Sequence, residues 1–198
     1  MGRKAREERQ ERREDVVAKR THEKRKTTLM AAGILALIAV IVGYSAYVFV
    51  TMDADVPGAP PGAGKLGDEH EHASLLVRIF GDKFDFSTPG YQIKSSWIHF
   101  EESDGVTIHR HSSGVTLGYL FANINIGIDS ECYIFPDGRQ FCTNEDYSLK
   151  YYINHQAVKD INDYVIEDGD RVLITYGSET PEQIEEYLME LDSQVIKG

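Results

Sequence analysis

Cysteine is scarce in this 198-residue chain: there are two, Cys132 and Cys142, and no Cys-x-x-Cys motif. That removes the usual redox dithiol, in which a helix start lowers the pKa of one thiol. Residues 53–198 contain no phosphate-cradling glycine loop and no serine nucleophile elbow, so nucleotide hydrolysis and serine acyl transfer are not signalled. They contain no Asn-x-Ser/Thr sequon and no internal repeat. Basic residues are few there, 10 Lys/Arg against 26 Asp/Glu, with no basic aromatic patch. A nucleic-acid partner is therefore not expected.

What the chain does have is one long uncharged run, Leu29–Val50, 22 residues. A hydrocarbon core about 30 Å thick needs roughly 20 apolar residues in a helix. The run predicts a transmembrane helix over 29–52. Residues 1–28 carry 11 Lys/Arg and 6 Asp/Glu, with Lys24-Arg25-Lys26 at the membrane edge. Positive charge stays cytoplasmic, so the N-terminus is expected inside and the bulk of the chain outside. The basic segment forms either a helix laced by i,i+4 pairs or a disordered flank. A signal peptide would have a shorter apolar core, roughly 7–15 residues, and a small-residue cleavage site. Here the run ends in Tyr47-Val48-Phe49-Val50-Thr51-Met52, which favours an uncleaved anchor in the lipid bilayer.

Residues 53–72 are rich in Pro and Gly and read as a linker, closed by Glu69-His70-Glu71-His72. Residues 73–177 read as one α+β domain of hairpins around a helix. Leu75–Phe80 and Lys83–Phe86 flank a Gly81-Asp82 turn, and Trp97–Glu101 pairs with Val106–His111. Val115–Ile124 changes to helical period, with Ser112 or Ser113 as its cap. Cys132–Phe135 pairs with Arg139–Cys142, and Asn154-His155 turns the strand Leu149–Ile153. Asp168-Gly169-Asp170 leads into Arg171–Tyr176. Residues 178–198 form an amphipathic helix with a Thr180-Pro181-Glu182-Gln183 capping box. Its stripe of Ile184, Tyr187, Leu188, Leu191 and Val195 is expected to dock on its own domain or on a partner.

The order hairpin, helix, then strands ending in a Gly-Asp turn and a last strand resembles a β-grasp (ubiquitin-like) domain. Residues 150–176, with Tyr152-Ile153-Asn154-His155-Gln156-Ala157-Val158 and Asp168-Gly169-Asp170-Arg171-Val172-Leu173-Ile174, resemble the C-terminal half of small sulfur-carrier proteins. Those end in Gly-Gly, whereas 21 residues follow Gly177 here, which removes the carrier activity. Trp97-Ile98-His99-Phe100-Glu101, Thr107-Ile108-His109-Arg110-His111 and Gly114-Val115-Thr116-Leu117-Gly118 resemble membrane-anchored proteins of ammonia-oxidising archaea and some bacteria. Some of these carry a protein-disulfide isomerase label. The resemblance implies an archaeal cell-surface setting and supplies no activity.

Turn geometry places the candidate site residues. Pro136-Asp137-Gly138 fits a three-residue loop with Gly in the left-handed position, which sets Cys132 against Cys142 in a close, non-hydrogen-bonded pair. An extracytoplasmic disulfide there would stabilise by a little under ~3 kcal/mol. The alternative is a redox-active pair. Ser103-Asp104-Gly105 sets Glu102 against Val106, hence His99 against His109, with His111 on the same face and Glu101 beside them. Such imidazoles suit Cu(II) or Zn(II). The alternative is a stacked polar face or a pH-responsive patch.

The sequence thus predicts a single-pass membrane protein whose extracytoplasmic β-grasp-like domain is a binding or accessory module of a membrane or cell-envelope complex. Copper or zinc binding is the second reading and a thiol–disulfide isomerase the third.

Overall fold

The computed structural model describes residues 2–51 and 58–198. The chain forms two units, divided after Met52. The first is one helix, α1, Gly2–Thr51. It contains both the basic segment and the apolar run, so residues 2–28 take the helical of their two expected forms. Its Lys19–Val48 stretch is long and apolar enough to cross a membrane, with a mean hydropathy of 2.3 in its most apolar window and no burial. At 1.5 Å per residue the 22-residue run spans about 33 Å. Met52, the last residue of the expected membrane segment, and residues 53–57 of the expected linker lie outside the described residues.

The second unit is an α+β domain with a mixed sheet at its centre. Its first strand, β1 (Glu71–Ile79), turns back into β2 (Asp82–Lys83). The turn is Phe80-Gly81, both at positive φ (52° and 85°), one residue earlier than the glycine-first turn expected at Gly81-Asp82. Then come β3 (Ile98–His99) and β4 (Thr107–Arg110), shorter than the periodicity suggests. The helix α2 is Leu117–Asn123, capped by Thr116, whose side chain accepts from the Tyr119 N–H; the expected serine cap lies too early. β5 (Gly127–Ile128), β6 (Cys132–Ile134) and β7 (Gln140–Cys142) form a separate three-stranded sheet. β8 (Ser148–Ile153), β9 (Gln156–Val158) and β10 (Asp170–Gly177) complete the central sheet, and α3 (Pro181–Ser193) follows.

The main sheet has the order β3-β4-β1-β10-β8-β9, with β2 pairing the far end of β1. β1 and β10 are parallel neighbours at its centre, and the other pairings are antiparallel. Alternation gives the sheet two different faces. Ala73, Leu75, Val77, Ile108, Val172 and Ile174 point into the main core, which α2 and the small sheet close with Leu117, Phe121 and Tyr133. Leu76 and Leu173 point the other way, onto Ile184, Leu188 and Leu191 of α3.

The helix α3 therefore docks on its own domain. Thr180 accepts from the Gln183 N–H and the Gln183 side chain accepts from the Thr180 N–H, which completes the expected capping box. The helix stops at Ser193, however, and Val195 is 74% exposed instead of extending the stripe. Residues 194–198 run on along the same sheet face. Ser74 donates to Gln194, the Lys197 N–H donates to Thr107, and the Lys197 ammonium lies 3.1 Å from the buried Asp104.

The segment expected to be a loose linker is anchored from Gly58 onward. Pro60 is buried, Ala59 and Ala63 pack on the core, and Asp68 accepts from both the N–H and the hydroxyl of Ser113. The strand β1 starts at Glu71, so His72 is a strand residue and His70 directly precedes it. This moves the start of the folded domain ahead of the boundary expected at residue 73.

Candidate metal centre

Three adjacent strands bring the histidines together. His99 of β3 pairs with His109 of β4, as the turn arithmetic requires, and His109 pairs with His72 of β1. The three form one row across the sheet. Continuing the β1–β4 register outward sets His70 beside His111 as a second row, and those two rings are 4.5 Å apart. All five lie on the face that carries α3: His70 and His72 are an even number of residues from Leu76, His111 and His109 lie opposite them, and His99 lies opposite His109. Five of the chain's seven histidines therefore share one patch.

The register is held by a turn that differs from the one the sequence suggests. Glu102 and Ser103 take the left-handed conformation (φ 55° and 56°), while Gly105 does not. Gly105 serves close approach instead: a Cβ there would sit 2.5 Å from the Ser87 backbone nitrogen. The buried Asp104 accepts from the backbone N–H groups of Val106 and Thr107, and Gln92 ties the turn to Phe86.

The ring nitrogens are individually constrained. The Nδ1–H of His99 donates to the Ser95 carbonyl oxygen at 2.7 Å, which leaves Nε2 as the free nitrogen, 3.2 Å from Glu101 Oε2. With a proton on Nε2 this contact is a charged hydrogen bond that holds the Glu101 carboxyl below its ordinary range. Without that proton, two acceptors face each other across a gap suited to a cation. The other Glu101 oxygen lies 3.5 Å from His109 Nδ1, which is buried with no hydrogen-bond partner. On the far side, Asp168 Oδ1 accepts from the His72 backbone N–H and lies 3.4 Å from its Nδ1, while His72 Nε2 is buried without a partner.

One donor atom each from His70, His72 and His109 lies within 4.8 Å of the other two. Two nitrogens on one tetrahedral Zn(II) are about 3.3 Å apart. His70 is exposed at the strand start and free to close that difference. No other such group occurs among the described residues. Of the expected ligands, His109 belongs to this trio, whereas His99, His111 and Glu101 flank it. His70 and His72 are the members that sequence reasoning assigned to a linker. Counting by twos back from Leu76 through Ser74 puts His72 and His70 on its face, but only once the strand is known to reach Glu71.

No protein family, curated protein or solved structure matches the chain. The reading of the patch rests on its own geometry.

The two cysteines are joined, at opposed positions of β6 and β7 with Cα atoms 4.1 Å apart. Both sulfurs lie in strands and neither sits at a helix start.

Burial pushes the His109 imidazole down to about 4, with the neighbouring His72, His99 and His111 adding to the depression and Glu101 opposing it. Burial also lowers His111. Both rings are therefore neutral, and able to act as ligands, at neutral pH. A folded pKa below the unfolded value near 6.5 means the unfolded chain takes up protons first as pH falls. Stability of the metal-free domain should drop by about 2 kcal/mol through His109 alone between about pH 7.5 and about pH 5. Thermal melts of wild type and His109→Gln with chelator present check this: the variant should show the shallower slope, and equal slopes contradict it.

Proposed function

We propose that the chain is a single-pass membrane-anchored protein whose outer domain binds a borderline divalent transition metal, Cu(II) or Zn(II), on its histidine patch. The observation that carries this reading is the convergence of His70, His72 and His109, two of which, His72 and His109, each carry a buried ring nitrogen without a partner. A buried imidazole nitrogen with no hydrogen bond costs free energy that a coordinated metal recovers. Two rings also have the outer contact typical of metal-binding histidine, a carbonyl at His99 Nδ1 and a carboxylate near His72 Nδ1. The excess of acidic residues after the apolar run raises the local cation concentration.

The parallel pairing of the first and last strands at the sheet centre, with α2 packed on the core beneath them, supports a β-grasp domain. The apolar length of α1 and the reversal of charge across it support a membrane anchor with the N-terminus inside. Within that setting the domain serves as an accessory subunit of a membrane or envelope complex, presenting a bound metal to its partner.

Two measurements on the full-length protein in detergent test the proposal. Calorimetric titration with Zn(II) at neutral pH should give saturable binding that weakens at least tenfold in His109→Ala; unchanged affinity in that variant overturns the site. A reporter fused after Gly198 should be active only outside the cytoplasm, and cytoplasmic activity overturns the orientation.

A further inference from the structure

The patch holds more donors than one ion uses. An open Zn(II) or Cu(II) site takes three protein ligands, and here five imidazoles and the Glu101 carboxylate lie on one sheet face. His111 stands between two neighbours, 4.5 Å from the His70 ring and 4.9 Å from the His99 ring, so the division into two groups is made by where the donor atoms converge. His70, His72 and His109 converge on one point. On the outer side, the rings of His99 and His111 are 4.9 Å apart, and His99 Nε2 points at Glu101 Oε2, 3.2 Å away. Each group has one ring oriented from behind, His72 near Asp168 and His99 by Ser95. Glu101 stands between the two groups, with Oε2 toward His99 and Oε1 3.5 Å from the unpartnered Nδ1 of His109. A carboxylate whose two oxygens face different donor groups is placed as a bridging ligand, and two-metal sites hold their ions about 3.5–4 Å apart.

We propose that the patch is a two-metal site. His70, His72 and His109 hold one divalent transition-metal ion, His99 and His111 hold a second, and Glu101 bridges them. This rests on the metal-binding reading above and extends it from one ion to a pair.

The test counts ions. Native mass spectrometry of the full-length protein, carrying His22→Ala and His155→Ala so that only the patch histidines remain, should show two Zn(II) per chain. A variant with His70→Ala and His72→Ala should retain one ion. So should a variant with His99→Ala and Glu101→Gln, provided that circular dichroism shows it folded. If a variant fails to fold, the count on the parent decides alone. A single ion in the parent overturns the paired site, and it leaves the one-metal reading standing where the variant at His70 and His72 loses it and the variant at His99 and Glu101 keeps it. No bound ion in the parent overturns both. Loading with Cu(II) gives an independent readout: ions this close should show a magnetically coupled electron paramagnetic resonance spectrum, and signals of isolated Cu(II) contradict the bridge.

Discussion

The backbone register of β3, β4 and β1 is the constraint on which the rest of the site depends. Side chains alternate between the two faces of a sheet, so a slip of one residue in either pairing would send a histidine into the main core. Such a slip would bury an imidazole among Ile98, Ile108 and Leu75, at the cost of an unpaired polar group in an apolar setting. The apolar pattern of the core face therefore enforces the histidine row on the opposite face. The Asp104 turn and the Asp68–Ser113 clamp fix the two ends of the same arrangement.

The same sheet face is divided between two tasks. Around Leu76 and Leu173 it is apolar and covered by α3, with Arg78 beyond them paired to Glu190 of that helix. Towards β3 it becomes polar, at Ser74 and Thr107, and then imidazole. The chain that leaves α3 follows this gradient: Gln194 meets Ser74, Lys197 meets Thr107 and Asp104, and Gly198 lies against the His72 ring. The tail thus forms one wall of the patch, and the imidazoles of His70 and His111 are less buried than those of His109 and His99.

Much of this was legible in the sequence where short loops or strong periodicity set the geometry. The pairing of His99 with His109 and of Cys132 with Cys142 follows from counting outward from three-residue loops, although the 102–105 turn reaches its register through Glu102 and Ser103 instead of its glycine. The capping box at Thr180 was equally clear. His70 and His72 were not, because the Pro- and Gly-rich stretch before them and the flanking Glu69 and Glu71 look like solvated chain. What places them is long-range: the parallel β1–β10 pairing, the β1–β4 ladder and the Arg110–Glu69 ion pair, none of which has a local signature. The three-donor group therefore lies one strand over from the expected set, and His109 is the residue common to both.

The central claim is that this row of imidazoles is a metal centre and not a stacked polar surface. X-ray absorption at the zinc edge, on full-length protein loaded with Zn(II), addresses it most directly. The account predicts a first shell containing about three nitrogens at about 2.0–2.1 Å, with the outer-shell scattering of imidazole rings. That scattering should be reduced when His109 is replaced by Ala. A shell of oxygens alone, unchanged by the substitution, would place the ion on the acidic surface and contradict the account.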